Sequence, residues 1–364
     1  MRILHTEWSD GWGGQERRIF TEMLGMRDRG HEVRLATRPT CALGREAAKA
    51  GIPVDPVAFG GKFHLPSILA LKRLVAEKGI DVVNTHSGID SWVGGIAARL
   101  AGVPLVRTRH LNLPLRRNWA NFVHYLPHRV VTCGQAMRTK LIEEHGFPRG
   151  EVVSIPTGID FSAFRPRREG RDVRAELGIA PDAWVVLMVA VIRRVKRHEV
   201  AIRAFAEFVR DNPGAVLVLC GEGPMREAME NLCREVEVME SVLFLGHRDD
   251  VPDIMAAADV LLLTSESEGV PQAVSQGLGC GLPVVATRVG GVPELVQDGE
   301  SGLLVPAEDP PAVARALHRL AGEPDLAARL GRKGREFALG QLSLEAMLDA
   351  TERLYDQVLA ERQP

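Results

Sequence analysis

Short runs of β-branched and aliphatic residues alternate with amphipathic stretches along almost the whole chain. Arg2–Thr6, Glu32–Ala36, Val82–Thr85, Leu105–Thr108 and Val130–Thr132 read as strands. Between them, Gln15–Arg29, Leu65–Lys78, Val93–Ala101 and Gln135–Glu144 repeat their apolar residues at helical spacing. Such alternation predicts a parallel sheet with crossover helices, the doubly wound α/β class.

The cycle then restarts. Val185–Val189, Ala215–Cys220, Val242–Leu245, Val260–Leu263 and Val284–Ala286 read as buried strands, separated by helices such as His198–Val209 and Met225–Glu235. Two βα series predict two Rossmann-like domains. The break is expected after Ile155, where Pro156, Gly158, Pro166 and the charged stretch Arg165–Arg174 interrupt the pattern. This assigns residues 1–165 to an N-terminal domain and 166–342 to a C-terminal one. Helical patterns follow at Pro310–Leu320, Asp325–Phe337 and Leu344–Leu359. That terminal helix, within residues 343–364, is expected to cross back to the first domain.

Composition narrows the class without naming a ligand. The 364 residues are 45% hydrophobic and 25% charged, with a net charge of −2, which fits a globular chain with two cores and excludes disordered or collagen-like classes. The charge is unevenly spread. Residues 1–160 hold 22 Lys and Arg against 15 Asp and Glu, and the remainder holds 23 against 32. A basic first half points to an anionic ligand on that side, and drift in surface composition gives the same numbers. Nothing in the balance indicates nucleic acid. The five cysteines form no C-x-x-C pair, so neither a disulfide framework nor a zinc site is indicated, and a reducing cytoplasm fits. No apolar run has signal-peptide or membrane-spanning length. A soluble protein, or one peripheral on the cytoplasmic membrane face, is expected.

In open parallel sheets, ligands bind beyond the carboxyl ends of the strands, so two such domains are expected to face one cleft with their loops. After the first strand, Gly13 and Gly14 precede a helix, where glycine permits close approach and free N–H groups favour an anion. An ordinary tight turn needs no more than this. The spacing is not the G-x-G-x-x-G of a dinucleotide site, which weighs against an NAD-dependent enzyme. His86 and His110 each follow directly on a strand, and Arg107 and Arg109 flank the second. With Arg116, Arg117, His124, His128 and Arg129 they predict a basic wall suited to a phosphorylated acceptor or an anionic membrane.

In the second half, Arg193-Arg194-Val-Lys196-Arg197 stands at a strand end before a helix. It reads as a diphosphate clamp or as a solvated basic turn. Ser265-Glu-Ser-Glu268-Gly269-Val270-Pro271 presents Glu268 to sugar hydroxyls and the amides near Gly269 and Val270 to a phosphate, with Gln276 one to two turns into the following helix.

These segments together resemble glycosyltransferase family 4, retaining enzymes of GT-B fold that use nucleotide sugars. The resemblance rests on Glu268-Gly-x-Pro with Gln276 and Gly281-x-Pro-Val-Val-Ala-Thr287, on Gly13-Gly14-Gln15-Glu16, and on Ile155-Pro-Thr-Gly158-Ile-Asp160 with Phe164-Arg-Pro166. Gly221-Glu-Gly223-Pro224, Phe244-Leu-Gly246 and Gly290-Gly291-x-Pro-Glu294 follow in the family's order, so the motifs cover nearly the whole chain. The resemblance implies that Lys196 and Arg193 or Arg194 neutralise the donor diphosphate. It implies that Glu268 binds the transferred sugar, that amides at Gly269 and Val270 hold the β-phosphate, and that Gln276 meets the ribose. Arg248 is placed with the donor site, Gly14 approaches the diphosphate, and His110 sits beside the reacting sugar. Glu16, His86, Arg107, Arg109 and Arg116 are placed on the acceptor side. Three positions depart from the pattern: Gln276 stands where Glu is usual, Val191 where Arg is usual, and Thr157 where Asn is usual.

The expectation is a metal-independent, cofactor-free retaining transferase that moves a sugar from a UDP-, GDP- or ADP-sugar to a glycan or lipid-linked acceptor of cell-envelope or lipopolysaccharide type. The alternatives are transfer to a small soluble acceptor such as a sugar phosphate, and a non-catalytic two-domain sugar or nucleotide binder.

Overall fold

The computed structural model describes residues 1–110, 119–166 and 172–361. The chain divides into two compact units, Met1–Gly158 with the chain from Glu345 onward, and Ile159–Leu344. Within the first, seven strands form one sheet: β1 (Arg2–Glu7), β2 (Glu32–Thr37), β3 (Val54–Pro56), β4 (Val82–Thr85), β5 (Leu105–Arg109), β6 (Arg129–Thr132) and β7 (Val152–Ser154). They lie in the order β3-β2-β1-β4-β5-β6-β7, every neighbouring pair parallel. The helices are α1 (Gly14–Asp28), α2 (Ala42–Lys49), α3 (Leu65–Glu77), α4 (Gly88–Ala101) and α5 (Gln135–Glu143). Leu4, Ala36 and Val83 from the strands meet Ile68, Leu71, Val93 and Ala97 from α3 and α4 in one core. Helix α4 starts at Gly88, five residues before the Val93 expected from the sequence, because Asp90 accepts from the Ser87 N–H at 3.0 Å and caps the helix there.

The terminal helix, Leu344–Ala360, packs on this unit. Its Tyr355 is fully buried and donates to Glu22 Oε1 at 2.9 Å, while Asn84 Nδ2 donates to the Tyr355 hydroxyl at 2.8 Å. Arg29 on the surface pairs with Glu345, Asp349 and Glu352 of the same helix.

The second unit contains β8 (Val185–Val189), β9 (Val216–Cys220), β10 (Val242–Gly246), β11 (Val260–Leu263), β12 (Val284–Thr287) and β13 (Leu303–Val305), all parallel in the order β10-β9-β8-β11-β12-β13. Its helices are α6 (Val173–Glu176), α7 (His198–Asp211), α8 (Arg226–Glu235), α9 (Val251–Ala256), α10 (Gln272–Gly279), α11 (Val292–Leu295), α12 (Pro310–Gly322) and α13 (Pro324–Gln341). Alternate residues of β8 serve opposite cores: Val186 and Met188 join Phe205, Phe208 and Leu317, whereas Val185 and Leu187 join Ile254, Val274 and Leu278. The sheet is thus buried on both faces, which explains why its strands read as continuous apolar runs.

Residues 159–165, grouped by sequence with the first domain, belong to the second unit. The Ile159 N–H donates to Leu342 O at 2.9 Å and the Leu344 N–H to Ile159 O at 3.0 Å, while Phe161 and Phe164 pack on the second core.

Candidate functional site

Each sheet reverses its strand order once, between β1 and β4 in the first unit and between β8 and β11 in the second. Loops leaving the carboxyl ends of the strands at such a reversal splay apart and leave room for a ligand. The predicted residues that are described stand on these loops and at the ends of β5 and β10.

In the first unit, Glu7 ends β1 and is fully buried. Its Oε1 accepts from the Trp8 and Ser9 N–H groups, each at 2.8 Å, and its Oε2 accepts from Gln15 Nε2 at 2.7 Å, so this carboxyl shapes the loop. The Ser87 hydroxyl lies 2.7 Å from Glu7 Oε1 and 2.5 Å from Asp90 Oδ1. A hydroxyl has one hydrogen, so satisfying both contacts requires that one of the two carboxyls carry a proton. Burial, reinforced by the Asp90 charge, lifts Glu7 to about 7, and burial raises Asp90 as well. Neither group was singled out from the sequence.

Gly13 and Gly14 open α1 as expected, but Glu16 is placed differently from the acceptor-side role. Its Oε2 accepts from the Gly13 N–H at 2.8 Å, so its carboxylate closes the helix start. His86 and His110 stand directly after β4 and β5 and touch each other, His86 Nδ1 to His110 Nε2 at 3.1 Å. His5, inside β1, extends this file inward, and Cys133 ends it. Thr157, one of the departures from the family pattern, accepts from the buried Arg18 Nη1 at 3.1 Å.

The basic wall expected here is largely turned inward. Arg107 and Arg109 are only 6% and 7% exposed. Arg107 bonds His124 Nδ1. Burial, with Arg109 nearby, depresses Arg107 to about 9, and burial depresses Arg109 to about 10. His124 falls to about 3 through burial and those arginines, and Arg129 pairs with Glu361. Arg116 and Arg117 lie outside the described residues.

In the second unit, Lys196 follows β8 and Glu268 follows β11, and Lys196 Nζ donates to Glu268 Oε1 at 2.6 Å. Ser265 Oγ donates to the same oxygen at 2.6 Å. The two loops are joined below this pair by Thr264, whose hydroxyl reaches Lys196 O and Arg197 O, and by the Glu266 N–H on Val195 O at 3.0 Å. A third loop braces Glu268 from behind. Gly290 has φ +49°, and a Cβ there would stand 1.9 Å from Glu268 O; the Gly291 N–H donates to Gly269 O at 2.9 Å. Only glycine fits at Gly290, and a Cβ at Gly291 would stand 2.1 Å from Gly269 O, which together explain the paired glycines of that motif. Gly269 itself would bring a Cβ into open space.

The four-cation clamp is divided. Arg197 is engaged by Glu199, Glu266 and Glu308, and is thereby neutralised. Arg193 and Arg194 are exposed and have no side-chain partner among the described residues. Arg248 is held by Asp250 through two contacts of 2.7 and 2.6 Å, a pairing that a donor would have to share. Val270 and Gln276 are half-buried, Gln276 on the second turn of α10. Among the described residues no group of three or more metal-ligating side chains stands together.

Comparison with known proteins places this geometry. The family described as Glycosyl transferases group 1 matches residues 170–337, and Glycosyltransferase Family 4 matches residues 12–163. The D-inositol 3-phosphate glycosyltransferase of Acidothermus cellulolyticus is 31% identical over 341 residues, covering 86% of this chain and 74% of that protein. The UDP-Gal:alpha-D-GlcNAc-diphosphoundecaprenol alpha-1,3-galactosyltransferase of Escherichia coli is 28% identical over 271 residues, 70% of each chain. The crystal structure of Anabaena HepE in complex with UDP matches with a TM-score of 0.88 at 22% identity, over 98% of this chain and 100% of that one. With two parallel sheets in a two-domain α/β arrangement of GT-B fold, and family matches to both halves, the chain belongs to glycosyltransferase family 4 and is a glycosyltransferase.

Proposed function

We propose that the protein moves a sugar from a nucleoside diphosphate sugar to a hydroxyl acceptor with retention of configuration, the donor held by the second unit and the acceptor by the first. The observation that carries this reading is the Lys196–Glu268 pair at the strand-order reversal of the second sheet. A carboxylate there accepts from sugar hydroxyls, and a lysine with exposed Arg193 and Arg194 beside it offsets a diphosphate. The amides around Gly269 and Val270, at the entrance to α10, add donors for the β-phosphate. Gln276 accepts from a ribose hydroxyl without adding charge. UDP in the HepE structure supports a nucleotide ligand.

In this reading no metal or cofactor takes part. Cationic side chains and helix-end amides stabilise the charge that develops on the departing diphosphate. The bond from the sugar C1 to the β-phosphate oxygen breaks, the acceptor oxygen bonds C1 on the same face, and the acceptor proton passes to the departing phosphate.

The acceptor is a cell-envelope glycan or lipid-linked sugar. The E. coli relative named for a diphosphoundecaprenol substrate supports this choice. Contact with the cytoplasmic face of the membrane is part of the proposal: Phe63, Leu65 and Leu69 are exposed beside Lys62, Lys72 and Arg73, and among the described residues no helix is long and apolar enough to cross a membrane. A second reading, transfer to a small phosphorylated acceptor, is favoured by Arg107 and Arg109, buried cations that an anionic group would stabilise, and by the inositol 3-phosphate relative.

The test is to incubate purified protein with UDP-, GDP- and ADP-sugars and each acceptor class in the presence of EDTA, and to read nucleoside diphosphate release and the anomeric proton of the product by NMR. Release of one diphosphate with the donor's anomeric configuration kept supports the reading. Inverted product, or no release from any donor, contradicts it, and a requirement for divalent metal removes metal independence.

A further inference from the structure

His5, His86 and His110 come from three adjacent strands and form a file beneath the loops of the first unit. His5 Nδ1 lies 2.9 Å from His86 Nε2, and those two rings stack 8° from parallel with centroids 5.2 Å apart. His86 Nδ1 lies 3.1 Å from His110 Nε2, and His110 Nδ1 lies 3.8 Å from Cys133 Sγ. Each contact between rings needs one nitrogen with a hydrogen and one without.

A file of three neutral rings has two consistent arrangements. Either every ring carries its hydrogen on Nδ1 and donates toward Cys133, or every ring carries it on Nε2 and donates toward His5. The second arrangement would place an N–H on His5 Nε2, a buried atom with no partner among the described residues. A buried N–H left without an acceptor is destabilising, and orphaned donors are rarer than orphaned acceptors. Cys133 favours the first arrangement too. Its thiol donates to Arg109 O at 3.3 Å and its sulfur accepts from Arg18 Nη1 at 3.5 Å, so the sulfur meets His110 as an acceptor.

We propose that His5 and His86 are positioning residues that lock His110 in the neutral, Nδ1-protonated tautomer, with both ring nitrogens engaged inside the protein. His110 then contacts the transferred sugar without exchanging a proton with it, a consequence that rests on the function proposed above. The surrounding charges agree with a neutral file. Arg18, from α1, faces His86 and His110 and opposes protonation, as burial does, and Arg109 on β5 adds no negative charge. Glu22, also from α1, acts on His5 in the opposite direction, but burial outweighs it. The file is a lock and not a proton path, because it ends at His5 with no onward partner among the described residues.

The test is long-range 1H–15N correlation NMR of the full chain labelled at histidine, from pH 5.5 to 8.5. Three rings are expected to show the Nδ1–H pattern with shifts independent of pH. His86→Asn, whose amide nitrogen takes the place of Nδ1, should preserve the His110 pattern, and His86→Ala should convert it to mixed tautomers. An Nε2–H pattern at His110 in the unaltered protein, or its titration within that range, overturns the proposal, and so does an unchanged pattern in His86→Ala. The spectra of the unaltered protein decide the matter even if that variant does not fold. They need no substrate, so a failed tautomer lock and a failed transferase reading are told apart by measuring diphosphate release separately.

Discussion

Lys196 and Glu268 leave different strands, β8 and β11, yet their side chains meet at 2.6 Å across the point where the second sheet reverses its order. Glu268 Oε1 also holds Ser265 Oγ at 2.6 Å, so one carboxylate oxygen anchors a lysine and a serine at once. In the function proposed above, the lysine is thereby held in place before a diphosphate arrives, and the carboxylate before a sugar does.

Lys196→Ala is expected to lower turnover by roughly 10²–10³, about 3–4 kcal/mol, the scale of one preorganised electrostatic contact. Steady-state diphosphate release checks this. Turnover within about a factor of two of the unaltered protein would remove Lys196 from the mechanism.

Glu268→Ala should lose a comparable amount. Because the two side chains touch, the losses in the double variant should fall short of additive by about 0.5–3 kcal/mol. A double-mutant cycle on kcat/KM measures the coupling, and strict additivity would show that the pair does not act as a unit.

Two glycines in the same loop region should behave oppositely. Gly290→Ala places a Cβ 1.9 Å from Glu268 O at a φ of +49°, so it should lower the thermal midpoint and donor affinity together. Gly269→Ala meets no protein atom within 4 Å and should leave the midpoint nearly unchanged while weakening donor binding. A Gly269→Ala protein that binds donor normally would show that no ligand approaches that backbone.

Glu7 gives a pH prediction for stability. Its folded value of about 7 lies above the ordinary 4.5, so the folded state binds the proton more tightly. The stabilisation is complete below about 4.5 and is lost as pH rises through about 7, at up to roughly 1.4 kcal/mol per unit in between. Thermal midpoints from pH 5 to 8 should fall more steeply for the unaltered protein than for Glu7→Gln, which cannot ionise. Parallel curves would show that Glu7 carries no proton in the fold.

Much of the architecture was legible because both sheets are parallel: their strands are apolar runs separated by helical patterns, and the motif glycines fall at strand ends. Short edge strands such as β3 and β13, three residues each, carry too little pattern to stand out. The candidate site was legible by residue type but not by pairing. Arg197 reads like its neighbours in sequence, yet three carboxylates from different segments neutralise it. Glu16 reads as a cleft residue and instead caps α1. His5 sits within an apparently ordinary strand, and its place in the file depends on β1 pairing with β4, which no local pattern specifies. Ser87-x-x-Asp90 was the one missed signal that sequence does carry, since that spacing marks a helix start.

The most direct test of the central claim, a nucleoside diphosphate sugar held at Lys196 and Glu268, is a thermal-shift titration of the unaltered protein and Lys196→Ala with UDP-, GDP- and ADP-sugars. Ligand at a hundredfold excess over Kd stabilises the folded state by about 2.7 kcal/mol, and each kcal/mol raises the midpoint of a domain of 150–250 residues by roughly 2–4 °C. The account predicts a rise of several degrees with one nucleotide class in the unaltered protein and its loss in Lys196→Ala. No rise with any donor, or an equal rise in both proteins, would contradict it.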